Sequence, residues 1–152
     1  MRIRFEIDEQ GDEEVIIRLK QMDERIGVIQ QALSEVLSGH ASFPFYQNEK
    51  EFYFPLSEIL FFETQSKEVM AHTKNQVYTV KHRLYELEEL LPVSFLRVSK
   101  STIVNVSKIL SIDKNLTGAS EVEFADSYKK IFVSRGYYKV LKEKMESRRY
   151  RV

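Results

Sequence analysis

The 152-residue chain has no cysteine, no tryptophan, five glycines and three prolines. Without cysteine there is no disulfide scaffold, no thiolate zinc site and no cysteine nucleophile. Five scattered glycines cannot line a phosphate cradle, and the chain holds no P-loop, no G-x-G-x-x-G, no G-x-S-x-G and no H-E-x-x-H. No apolar run approaches the ~20 residues of a spanning helix. MRIRFEID lacks the apolar core and cleavage site of a signal peptide. His40, His72 and His82 lie far apart, without metal-ligand spacing, and are expected at the surface or in loops. Glu86, Glu88 and Glu89 read as the solvated face of a helix, and Glu58 and Glu63 have no oriented partner for acid–base work. The expectation is a cytoplasmic, non-catalytic protein without metal or cofactor. At 43% apolar residues it can form one core plus an appendage.

The charge that is present is unevenly placed. Overall, 23 Lys+Arg balance 23 Asp+Glu, yet residues 1–40 carry 5 basic and 9 acidic side chains, net −4. Residues 41–93 carry 5 and 8, net −3, and residues 94–152 carry 13 and 6, net +7. A positive field on one third of a neutral chain points to an anionic partner there. The plainer explanation is a basic terminal helix, since KVLKEKMESRRYRV supplies 6 of those 13 cations.

RIRFEID alternates strictly, with Ile3, Phe5 and Ile7 against Arg2, Arg4, Glu6 and Asp8, and EVIIRLK repeats the pattern with Val15, Ile17 and Leu19. Both are expected as half-buried strands. From Asp23, an N-cap residue, Ile26, Ile29, Leu33, Val36 and Leu37 recur at helical spacing up to Gly39. Residues 1–40 thus read as a small strand–strand–helix module, joined through His40 to Pro44 to a second domain over residues 43–152. FYFPLSEILFFET has the aromatic density of a packed sheet, and VMAHT and QVYTV flank a turn at Lys74-Asn75. HRLYELEELLP predicts a helix with Leu84, Leu87, Leu90 and Leu91 on one face, stopped by Pro92. KILSID, EVEFAD and YKKIFVS read as further strands, and Gly136 opens a last helix that buries Tyr137, Val140, Leu141 and Met145. The class is α+β, strand-rich from about residue 43.

Three polar patches carry cations on turns. They are Gln65-Ser66-Lys67, then Arg97, Ser99, Lys100, Ser101 and Thr102 between two apolar pairs, and Ser134-Arg135-Gly136 before the last helix. Short hydroxyl and cationic side chains on loops suit phosphates or base edges. Polar turns are also ordinary.

Taken in order, EILFFET (58–64), LYELEELLPVSFLRVSKSTIVNVSKILSID (84–113) and IFVSRGYYKVL (131–141) resemble the LytTR DNA-binding domain over residues 43–146. The resemblance implies packed antiparallel sheets with short helices, in a bacterial transcription regulator. Residues 1–40 are too short for a phosphoacceptor domain, which implies the stand-alone type. It implies binding to double-stranded DNA through loops in successive major grooves, at direct-repeat operators, as a homodimer on DNA. Carried over position by position, it puts contacts at Lys67, at Lys100 flanked by Ser99 and Ser101, and at Arg135 beside Ser134. Arg135 is expected to read a base, because its planar fork can bridge O6 and N7 of guanine. Arg97, Lys74, Lys129, Lys130 and Lys139 are expected to position the phosphate backbone, and Asn105 to brace its loop. Stand-alone members are often paired with a restraining membrane protein. Residues 1–38 are the expected contact for such an inhibitor or for dimerisation, or else a lid on the second domain. The alternative is a non-catalytic module whose basic last third meets RNA, with Tyr137-Tyr138 stacking, or an anionic membrane surface, with Tyr150 and Arg151 at the helix end.

Overall fold

A computed structural model of the chain describes residues 2–12, 14–22, 24–37 and 44–148. The expected N-cap Asp23, the stop at Gly39, residues 40–43 of the expected junction, and Tyr150 and Arg151 lie outside the described residues.

Helix α1 (Arg25–Leu37) forms where the apolar spacing predicts it, with Ile26 buried. The two alternating segments before it are a correction. Residues 2–12 and 14–22 form no ladder, and Ile3, Phe5, Ile7, Val15 and Ile16 stand exposed. Folding the segments onto each other around Gly11 would set Arg2 opposite Lys20, Arg4 opposite Arg18 and Asp8 opposite Glu14. Like charges directly across a ladder destabilise it. The alternation is real and its partner is missing.

From residue 44 onward the chain builds strands β1 (Phe45–Gln47), β2 (Lys50–Phe52), β3 (Phe61–Gln65), β4 (Glu68–His72) and β5 (Val77–Val80). Helix α2 (Leu84–Leu90) follows, then β6 (Phe95–Arg97), β7 (Thr102–Asn105), β8 (Ile109–Asp113), β9 (Ser120–Phe124), β10 (Lys130–Val133) and α3 (Tyr138–Arg148). The first seven strands form one antiparallel sheet in the order β2-β1-β5-β4-β3-β7-β6, and the last three a second, β10-β9-β8. Adjacent residues on a strand point to opposite faces, so the pairs Phe61-Phe62 and Ile103-Val104 feed two cores at once. Phe61 and Val104 pack with Val122, Phe124, Val133 and Leu141 under the smaller sheet and α3. Phe62 and Ile103 pack with Val69, Ala71, Leu84 and Leu87 under α2. The central strands of the large sheet are thus covered on both sides and rigidly placed.

Smaller differences have simple causes. The aromatic run after Phe52 is broken by Pro55, which lacks an N–H for a ladder and leads into a 3-10 turn at Leu56–Glu58. Val140 stays exposed, because it lies about 100° round α3 from the fully buried Leu141. Helices α2 and α3 are separated by five strands, so no helix-turn-helix exists among the described residues. No helix among them is long and apolar enough to cross a membrane.

Candidate nucleic-acid interface

The β3–β4 turn has two residues, because Gln65 pairs with Glu68. Ser66 and Lys67 therefore take φ of 50° and 70°. That geometry suits Asn and Gly, so Lys67 is displayed by a turn its residue type disfavours. β7 runs beside β3 with Glu63 opposite Thr102, and the Thr64 amide donates to the Ser101 carbonyl at 2.8 Å. These bonds clamp the β6–β7 connection next to the Lys67 turn. On its far side the Ser134 amide donates to the Val98 carbonyl at 2.9 Å. Arg135, the first residue of the 3-10 turn leading into α3, hangs from that bond. Three loops from separate parts of the chain thus meet at one end of the large sheet.

The β6–β7 connection is held from within. Ser99 Oγ accepts from the Ser101 amide at 3.2 Å, and the two hydroxyls lie 3.3 Å apart. Arg97 donates from Nε to the Ser99 carbonyl at 2.7 Å, from Nη2 to the Lys100 carbonyl, and from Nη1 to Glu88 on α2. Its guanidinium is thereby engaged by the protein, which gives Arg97 a bracing part in place of the backbone contact expected of it. Asn105, 1% exposed, donates from Nδ2 to the Ile59 carbonyl at 2.9 Å and accepts from the Ser107 hydroxyl at 2.7 Å. It braces the far end of β7, as expected.

The remaining candidates divide cleanly. Lys67, Lys100, Ser101, Arg135 and Lys139 are exposed, while Ser99 and Ser134 are half-buried. Lys74 is also exposed, but it sits in the β4–β5 turn, at the opposite end of β4 from Lys67. There the Lys74 carbonyl accepts from the Ser127 hydroxyl at 3.1 Å, and Lys129 donates to the Gln76 carbonyl at 2.7 Å. Lys130 is paired with Glu121 at 3.0 Å and Glu123 at 3.2 Å, and these hydrogen bonds hold its pKa above the ordinary value. Lys74, Lys129 and Lys130 are therefore remote from the three loops.

Two cations missing from the sequence reading belong to the cluster. The register Val69 opposite Val80 returns the chain to the Lys67 end, so Lys81 and Arg83 line one shallow groove with Lys67, Arg97 and Lys100. Lys81 Nζ lies 4.5 Å from the Tyr46 ring centroid. The hairpin turn at Lys74-Asn75 was the available signal, since folding back from it places residue 81 beside residue 68. His72 is likewise no loop residue. It lies on β4, stacked on Phe61 with ring centroids 4.2 Å apart, and burial, then the nearby Lys129, lower its pKa to about 4.

Among the described residues, Lys67, Lys81, Lys100 and Arg135 form no ion pair. An antiparallel β domain that holds three cationic loops together, with their charge uncompensated, belongs to the class of sheet-built nucleic-acid-binding modules. Residues 49–146 match the family model of the LytTr DNA-binding domain, and the chain belongs to that family.

A HTH-type transcriptional regulator of Staphylococcus aureus (strain MSSA476) is 30% identical over 146 residues, covering 95% of this chain and 98% of that protein. Another, from the bovine strain RF122, is 31% identical over 129 residues, covering 85% and 86%. The solved LytTr DNA-binding domain of a response regulator from Bacillus cereus superposes with a TM-score of 0.64 at 24% identity, over 69% of this chain and 96% of that one, and shows the same fold. The chain is a DNA-binding transcription regulator.

Proposed function

We propose that the three loops read double-stranded DNA in successive major grooves, at operators built of direct repeats, with two copies of the chain on each operator. The observation that carries this reading is the bonding of the Lys67, Lys100 and Arg135 loops side by side at one end of the sheet. Each loop comes from a different element and each ends in an unpaired cation. Arg135 is the base reader, through the bidentate fork that fits guanine. Lys67 and Lys100, point charges on loop tips, meet either base edges or phosphates. Lys81, Arg83 and Lys139 flank them and hold the phosphate backbone, with Ser101 and Ser134 donating short hydrogen bonds. Arg97 keeps the β6–β7 loop in place from inside. The N-terminal residues take no part in DNA contact, in keeping with their net charge of −4.

Selection of bound duplexes from a random-sequence library by the full chain tests the reading. The expected product is a motif occurring twice in the same orientation, with centres about two helical turns apart, since one copy spanning successive grooves already covers a full turn. Enrichment of single strands or RNA, or of duplexes without a shared motif, would overturn it.

A further inference from the structure

Residues 2–8 form a short text that reads in charge the same way backwards as forwards with its sign inverted: Arg-Ile-Arg-Phe-Glu-Ile-Asp. Ile3, Phe5 and Ile7 are 83%, 90% and 94% exposed. Arg4 Nη2 bonds Glu6 Oε1 at 2.7 Å, so the alternate polar side chains share one side of this segment. An alternating apolar segment left bare is an aggregation hazard unless something pairs with it.

We infer that residues 2–8 pair, antiparallel, with the same segment of a second copy, about a two-fold axis passing between the two Phe5 residues. In that register Arg2 faces Asp8, Arg4 faces Glu6, Ile3 faces Ile7 and Phe5 faces its own copy. All four polar pairs are of opposite sign, and all the apolar residues share one face. Cross-strand pairs of both kinds stabilise a ladder, and a two-fold interface asks for this self-complementarity. The competing partner within the chain, residues 14–20, fails the same test. With the apolar faces matched around Gly11 it opposes Arg4 with Arg18 and Asp8 with Glu14, and a register two residues tighter opposes Arg2 with Arg18 and Glu6 with Glu14. The charges that prevent a hairpin within one copy favour a ribbon between two.

A two-stranded ribbon alone is marginal, so self-association of the free chain is weak. Two copies bound at neighbouring repeats turn it into an intramolecular event, at an effective concentration of about 1 mM. This consequence rests on the operator reading above; the pairing itself does not.

Sedimentation of the full chain without DNA, over rising concentration, tests it with Arg4→Glu, Glu6→Arg and their equimolar mixture. Each variant alone opposes like charges twice, and its dimer dissociation constant should weaken by about tenfold. In the mixture every residue 4 meets an opposite residue 6, so mixed dimers should recover the unmodified affinity to within about twofold. Phe5→Ser, at an exposed position, should abolish association and leave the unfolding midpoint unchanged. A chain monomeric up to about 1 mM would overturn the inference, because the segment would then serve some other protein. So would a mixture no tighter than the single variants. Arg135→Ala should associate like the unmodified chain, which separates failure of this inference from failure of the DNA reading.

Discussion

At one end of the seven-stranded sheet Lys67, Lys100 and Arg135 project from neighbouring loops, and among the described residues none of them is in an ion pair. At the other end Lys129 and Lys130 are bonded to a carbonyl and to two glutamates, and Lys74 stands alone on a turn. With Lys81, Arg83 and Arg97 the first end gathers six cations, whereas the other holds three, of which Lys130 is ion-paired twice. A count of charges along the chain cannot see this, because the fold decides which cations come together and which meet a carboxylate. The uncompensated end is the one whose loops are also rigidly joined.

Substitutions at the two ends should therefore diverge, and the largest divergence is at Arg135. Arg135→Ala should weaken binding to a selected duplex by about 10- to 100-fold while leaving non-specific duplex nearly unchanged. Lys130→Ala should leave both within about twofold. Fluorescence anisotropy at one fixed salt concentration reads this directly, and an equal loss on both duplexes at Arg135 would remove its base-reading role. Next comes the brace. Arg97→Gln deletes the link to Glu88 and frees two loop carbonyls, and should lower unfolding free energy by about 1–2 kcal/mol in urea titration. It should reduce binding as well, without contacting DNA.

His72, the last residue of β4 at the Lys74 end, gives the comparison a pH axis. Its pKa falls from 6.5 to about 4, through burial first and Lys129 second. The unfolded chain therefore takes up a proton from pH 6.5 downward while the folded chain does not. Stability is complete above pH 6.5 and is lost as pH falls toward 4, by about 1–2 kcal/mol once solvent screening is allowed for. Urea midpoints compared between pH 7.5 and 5 should show it, and His72→Gln should flatten the dependence.

The smallest effects concern single lysines. Lys100→Ala should reduce the slope of log K against log salt by about 1, with Lys74→Ala leaving it unchanged. Lys67→Gly relieves a positive φ and should raise stability by about 0.5–1 kcal/mol while weakening DNA binding. Thermal melts and the same salt titration check both.

Most of the body could be read from residue order. The aromatic density of FYFPLSEILFFET pointed to a packed sheet, while the burial of Phe61-Phe62 and Ile103-Val104 on both faces emerged only from the fold. What escaped was whatever depends on distant register. Lys81 and Arg83 join the cluster only because β5 folds back along β4, and Lys74 leaves it for the same reason. Arg97 looked like a free cation because Glu88 and the two carbonyls it binds meet it only in the folded chain. The alternation at residues 2–8 and 14–20 was read correctly as a pattern and wrongly as a pair of strands. Periodicity specifies a face, and a ladder needs a partner of the right charge as well.

The loops are attached to the sheet by main-chain bonds, Thr64 to Ser101 and Ser134 to Val98. None of these bonds involves the side chain at a loop tip. Positions 67, 100 and 135 can therefore be exchanged for other residues without loosening the frame that aims them. On the DNA reading proposed above, the domain is a holder with replaceable bits: redirecting it to a new operator means changing the tips that meet bases, Arg135 first, with Arg97 left untouched.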